Sequence, residues 1–288
     1  MIEHDESDEA TSGSAPSESA PALIVALGAS AGGLEALSTF FASAGELSGL
    51  SFVVITHQAP SPASLLPSLL ARQTSLPTHE VVDGMPCERD HVYVAPPRRF
   101  VSIERGRFSL ADASEHPGQL PINYFFRSLA HDQRDRAVGV VLSGTGSDGT
   151  LGLKEIKASL GLSIVQVAED AGFTGMPISA VNGDSPDYVV PAAEIPRHIG
   201  EYQLRAQNLR AQRPEDAEVQ LNSDALRKLF ALLRQRTGHD FSWYKESTVR
   251  RRIERRMNLQ RAETLPEYLT QLGTTPNELD QLFDELLI

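Results

Sequence analysis

Three residues of the types that cleave acyl bonds, Ser30, His57 and Asp148, each follow an apolar run. Ser30 lies in Gly28-Ala29-Ser30-Ala31-Gly32-Gly33, with the G-x-S-x-G spacing of a nucleophile elbow. Small residues on both sides let the backbone turn sharply and lift the hydroxyl towards solvent. An imidazole can take the serine proton, and a carboxylate can hold that imidazole in one tautomer and stabilise its cation. Backbone amides of glycine-rich loops can approach a tetrahedral oxyanion closely. The residues placed for this are Ala31 and Gly32 in the first loop, and Thr145 and Gly146 in the second, Ser143-Gly144-Thr145-Gly146-Ser147-Asp148-Gly149. Together these residues point to serine acyl transfer.

Other readings of the same residues stay open at this point. A nucleotide loop would need G-x-G-x-x-G, or a Lys-Ser/Thr pair after the glycines; the spacing here is G-x-x-x-G-G and no such pair follows. The second apolar run ends in His57, where a ribose-binding acid would stand. His57 could also cap a helix or sit in the core, and Asp148 could cap the helix that follows it.

The elements that must position these residues alternate in type. Leu23–Leu27 reads as a buried strand, followed by a helical pattern at Leu34, Leu37, Phe40 and Phe41. Leu50–His57 is a second strand, residues 64–74 a short helix, and 80–84 and 91–97 two more short strands. Residues 100–110 alternate about Arg105-Gly106 as a hairpin, and Pro121 opens a helix. Arg136–Leu142 is a second near-continuous apolar strand, followed by the glycine loop and a helix. A further strand at 163–167, a helix opened by Gly175-Met176-Pro177 and a strand at 188–190 complete the series. Strands alternating with helices imply an α/β fold with a doubly wound, mostly parallel sheet. Ser30, His57 and Asp148 then share its carboxyl edge, where such sheets keep their chemistry.

The chain has 288 residues, 41% of them hydrophobic and 22% charged, with a net charge of −12. Residues 1–20 hold six acids and no Lys or Arg, a composition that buries no core and implies a disordered acidic tail. The expected organisation is this tail, a catalytic domain over 21–202, a linker over 203–222 and a small all-helical domain over 223–288. Overall acidity argues against nucleic acid as a partner, and no apolar run approaches the ~20 residues needed to span a bilayer. The single cysteine, Cys87, excludes an internal disulfide and implies a reducing, cytoplasmic location. His79, His91 and His116 read as loop residues, His131 and His198 as residues of polar faces, and His4 lies in the tail. No H-E-x-x-H or C-x-x-C occurs, so neither metal nor cofactor is expected.

With these residues in view, residues 21–200 resemble the catalytic domain of the chemotaxis protein-glutamate methylesterase CheB. The resemblance rests on GASAGG at 28–33, ITHQ ending at 58, VYVAPP at 92–97, PINYFFRSLA at 121–130, LSGTGSDG at 142–149 and GMP at 175–177. It implies a Ser30–His57–Asp148 triad acting on glutamate γ-methyl esters of chemoreceptor-like proteins, and glutamine deamidation by the same route. Two positions depart from the family pattern: Thr145 stands in place of a methionine and Asn123 in place of an acid. Residues 223–288 resemble the N-terminal helical domain of the CheR methyltransferase, so the whole resembles the front of a CheB–CheR fusion. The SAM-binding domain is absent, so no SAM binding is expected. That second resemblance assigns Arg250, Arg251, Arg252, Arg255 and Arg256 to contact with acidic receptor helices. The competing expectations are a non-catalytic signalling scaffold, or a general small-ester hydrolase, for which no lid is evident.

Overall fold

Leu23–Ala29 forms β1, and every residue of it is buried. A strand this uniformly apolar must be covered on both faces, which is the condition of a parallel sheet flanked by helices. The computed structural model describes residues 21–45, 47–57, 65–115, 118–211, 224–275 and 277–287. The acidic segment 1–20, residues 212–222 of the expected linker, the loop residues 58–64 and His116 lie outside them.

In chain order the elements are β1, α1 (Gly33–Ser43), β2 (Leu50–Thr56), α2 (Leu66–Leu70), β3 (Thr78–Glu80), β4 (His91–Val94), β5 (Arg99–Glu104) and β6 (Arg107–Asp112). They continue with α3 (Pro121–Gln133), β7 (Ala137–Val141), α4 (Thr150–Ala158), β8 (Leu162–Gln166), α5 (Gly175–Gly183), β9 (Tyr188–Val190) and α6 (Ile195–Ala211). Four helices follow: α7 (Asp224–Thr237), α8 (Glu246–Leu259), α9 (Leu265–Leu272) and α10 (Glu278–Leu287). Seven strands pair in the order β3-β4-β2-β1-β7-β8-β9, all parallel, and β5 with β6 makes a separate antiparallel hairpin. The strand order reverses at β1, whose neighbours are β2 on one side and β7 on the other. The strand expected over 80–84 is displaced: only Thr78–Glu80 pairs with β4, and the helix expected over 64–74 shortens to α2.

Side chains alternate across β1, as the two-residue strand period requires. Ile24 and Ala26 join a core with Ile122, Phe125, Phe126 and Ile156 of α3 and α4. Val25, Leu27 and Ala29 join the opposite core, with Leu37, Phe40 and Phe41 of α1 and Ile195, Ile199 and Tyr202 of α6. The hairpin is fastened to α3 by Asp132, which accepts hydrogen bonds from the backbone N–H of Arg105 (2.5 Å) and Gly106 (3.0 Å). Helices α3 and α4 cross closely because Gly152 has no side chain. A Cβ there would lie 2.5 Å from that of Phe126.

The last four helices bury a core of their own, including Leu229, Leu233, Phe241, Ile253, Tyr268 and Leu282. Their unit docks on the sheet domain through α8. Arg255 donates to the Gly161 carbonyl (2.8 Å) and to Asp187 (2.6 Å), the residues just before β8 and β9. Asn258 donates to the Tyr202 carbonyl and receives from Arg205 of α6. The helical unit therefore sits at the amino edge of the sheet.

Candidate active site

The strand register brings the three candidate catalytic residues to the opposite, carboxyl edge. Ala29 of β1 pairs with Thr56 of β2, so Ser30 and His57 are the next residues of two strands ~4.8 Å apart. On the other side Gly28 pairs with Val141, and the Ser30 N–H donates to the Ser143 carbonyl at 2.9 Å. Ser30 is half-buried and starts the turn into α1, with the Gly33 N–H donating back to its carbonyl. Gly32 caps α1 at φ 70°, in the left-handed region, and no side chain caps the helix. A Cβ at Gly32 would come within 2.6 Å of Ser143 Oγ.

Asp148 is 2% exposed, and its carboxylate is fixed by three backbone N–H donors: Ile122 (2.9 Å), Asn123 (2.9 Å) and Gly149 (2.8 Å). It thus caps the start of α3, whereas Gly149 caps α4, the helix that follows Asp148 in sequence. One carboxylate oxygen, Oδ2, faces His57 Nε2 at 3.3 Å, and the imidazole is 38% exposed. A carboxylate held by amides on one side and by an imidazole on the other can orient that ring and stabilise its cation. The alternative roles for His57 and Asp148 as isolated capping or core residues do not describe this pair.

Both loops are tied together behind the serine. Ser143 Oγ donates to the Ala31 carbonyl (2.8 Å) and accepts from the Phe173 N–H (3.0 Å). Ser143 N–H in turn donates to the buried side chain of Gln166 (2.8 Å). Thr145 and Gly146 are exposed, and the Gly144 carbonyl accepts from the Met176 N–H (2.9 Å). Asn123, at one of the two departures, is buried and accepts the Gly152 N–H through Oδ1 (2.8 Å), which binds α3 to α4. Leu34, Leu120 and Phe173 are large apolar side chains exposed beside these loops.

Residues 25–199 match the family model described as CheB methylesterase, and 224–287 match that of the CheR methyltransferase all-alpha domain. The chain belongs to the CheB methylesterase family. The CheB catalytic domain of Thermotoga maritima superposes with a TM-score of 0.57 at 27% identity, over 62% of this chain and 97% of that one. An uncharacterized 104.1 kDa protein of the hypE 3' region of Rhodobacter capsulatus is 37% identical over 77% of this chain and 25% of its own length. A protein-glutamate methylesterase/protein-glutamine glutaminase of Hydrogenovibrio crunogenus is 33% identical over 61% of this chain and 48% of its own. The chain thus spans a quarter of the Rhodobacter relative and about half of the Hydrogenovibrio one.

Apart from Ser30, His57 and Asp148, the cysteine and the other described histidines fall elsewhere. Cys87 is buried, its thiol 3.2 Å from Ser51 Oγ, and burial pushes its pKa up to about 12, so it stays a protonated thiol. His79 and His91 are strand residues, stacked at 5.4 Å across β3 and β4, because the parallel pairing reaches further towards residue 78 than the local pattern indicates. His198 is buried against Tyr188 rather than on a polar face. Among the described residues, no group of three His, Cys, Asp or Glu could hold a metal ion, and no helix is long and apolar enough to cross a membrane.

The arginine surface of α8 is a correction. Arg252, Arg255 and Arg256 are buried, at 8%, 5% and 5% exposure. Arg255 pairs with Asp187 and Glu285, and Arg256 with Glu278 and Glu285, so these two guanidiniums face acids of their own chain. The carboxylates raise both pKa values despite burial, which keeps the arginines charged. Their acidic partners lie 22 to 68 residues away in sequence, out of reach of local pattern. Arg251 is exposed and Arg250 partly so, and these two carry what remains of the expected receptor surface. Ser143, Gln166 and Phe173 support the site without having been singled out from sequence. Their signal was present, since Ser143 opens the second glycine loop and Gln166 ends an apolar strand.

Proposed function

We propose that residues 21–202 form a serine esterase that removes methyl groups from glutamate γ-methyl esters of a chemoreceptor-like signalling protein. The observation that carries this reading is the meeting of His57 and Asp148 at 3.3 Å, one register step from the Ser30 turn. Nε2 of His57 faces Asp148 at 3.3 Å, and a proton carried on that nitrogen leaves Nδ1 to accept the one from Ser30. Ser30 Oγ attacks the ester carbonyl while His57 takes the proton. The amides of Ala31 and Gly32, at the uncapped start of α1, hold the oxyanion, with Thr145 and Gly146 lining the other side. The tetrahedral adduct collapses as His57 returns the proton to the methoxy oxygen, and methanol leaves. Water, deprotonated by His57, then cleaves the glutamyl–Ser30 ester and restores the serine and a free carboxylate. A glutamine side chain enters the same cycle and releases ammonia instead.

A protein substrate is supported by the apolar side chains of Leu34, Leu120 and Phe173 around an open site, a surface suited to a helix rather than to an enclosed small ester. The deciding experiment measures methanol release from methylated receptor cytoplasmic fragments by the wild type and by Ser30→Ala. Release by the wild type alone is the expected result. Equal release by both proteins would remove Ser30 from the chemistry, and release by neither would favour the scaffold reading.

A further inference from the structure

Where α8 meets the ends of α3 and α4 there is a cleft with a volume of about 370 Å³. His131, Arg134, Lys245, Arg251 and Arg252 line it, and none of the described lining residues is an acid. Arg252 is the telling member. It is only 8% exposed, yet no hydrogen bond or ion pair of the described residues uses its guanidinium, whereas Arg255 and Arg256 on the same helix are fully paired. No Arg252 nitrogen is among the buried side-chain atoms left without a partner, so its guanidinium opens to the cleft that it lines. Burial lowers the Arg252 pKa and Arg255 adds to the effect, while Glu285 works against it.

Favourable helix dipoles account for only part of this charge. His131 and Arg134 stand at the carboxyl end of α3, where a cation is stabilised. Lys245 is the N-cap of α8, where the dipole opposes a cation; its side chain caps no amide, and with the Thr248 N–H donating to the Lys245 carbonyl, the first-turn amides of Glu246 and Ser247 remain. A bound anion answers both features at once: it accepts from those amides and pairs with Lys245 and Arg252.

We propose that this cleft is a binding site for a phosphoryl-bearing small molecule that bridges the sheet domain and the helical unit. Several oxygens on a tetrahedral centre match forked guanidiniums together with the hydroxyls of Ser159, Ser247 and Thr248, which also line the cleft. The volume exceeds that of one phosphate and lies within the range of small-ligand pockets, about 300–1,000 Å³. Among the described lining residues there is no Phe, Tyr or Trp, so recognition centres on the phosphoryl group.

The test is calorimetric titration of the full chain with inorganic pyrophosphate at constant ionic strength. The wild type is expected to bind saturably at one site. Arg252→Gln and the exposed variant Arg134→Gln should each weaken binding roughly tenfold or more, whereas Arg127→Gln, outside the cleft, should bind as the wild type does. Arg134→Gln keeps the test valid if Arg252→Gln fails to fold. Absence of saturable binding, or equal weakening by Arg134→Gln and Arg127→Gln, would overturn the proposal. So would binding of a glutamate-rich peptide where pyrophosphate does not bind, which would reassign the cleft to an acidic protein.

Discussion

Asp148 serves the fold and the proposed chemistry with the same two oxygens, and the two duties can be separated by mutation. Asn in its place keeps the shape but turns an amide NH2 towards donors, since Ile122, Asn123 and Gly149 all present N–H groups there. Asp148→Asn should therefore lose about 1–3 kcal/mol of stability in urea unfolding. Loss of the orienting carboxylate should lower methanol release by roughly 10⁴-fold, as removal of a triad acid does elsewhere. Stability unchanged with activity lost would show that the carboxylate is dispensable to the α3 cap. Gly32→Ala tests the turn itself. The left-handed backbone costs about 1–2 kcal/mol for any residue with a Cβ, and the new methyl would press on Ser143 Oγ. Turnover should fall while binding of a methylated fragment persists, because the serine is displaced and the surrounding surface is not.

The helices and strands were legible from the chain to different depths, and the reasons are physical. β1, β2 and β7 carry near-continuous apolar runs because helices cover the sheet on both faces, so their pattern announces both strand and parallel pairing. The carboxyl-edge site followed from them, since Ser30, His57 and the Asp148 loop each extend such a run. β3 has no such run; two half-buried residues and the exposed Glu80 become a strand only because β4 offers its edge. α8 misled most, because a row of arginines looks like a solvated face until acids from α10 and from the turn before β9 are brought against it. His198 of α6 was misread because Tyr188 of β9, ten residues away in sequence, covers it, and it yields a prediction on pH. Burial, with Arg197 adding to it, lowers its pKa from the ordinary 6.5, so the native state favours the neutral ring. The unfolded chain then binds the extra proton first as pH falls, so stability present above 6.5 is lost progressively below it. Urea unfolding should show His198→Gln losing less stability than the wild type on going from about pH 7.5 to about pH 5.5. A parallel loss in both proteins would assign the acid sensitivity to other groups.

At the scale of the whole molecule, the sheet has two working edges. Ser30, His57 and Asp148 occupy the carboxyl edge, and the helical unit is fastened to the amino edge by Arg255. That joint is largely polar, with Arg255 bonded to two carboxylates and a carbonyl and Asn258 tied to α6 beside the apolar contact of Leu259, so its main members follow no apolar pattern. Removing one member of a buried ion pair leaves the others uncompensated, at about 3–5 kcal/mol. Arg255→Ala should therefore loosen α8 and α10 from the sheet while the core around β1 keeps its own cover from α1 and α3. Hydrogen exchange is the direct readout: protection should fall in residues 246–287 and persist in 23–29 and 137–141. Methanol release should survive in the same variant, because the serine loop takes its support from Ser143 and Gln166 and not from the helical unit. Loss of protection in both regions would mean that the two units unfold as one. Loss of turnover with the strands still protected would instead mean that the helical unit acts on the far edge through the sheet.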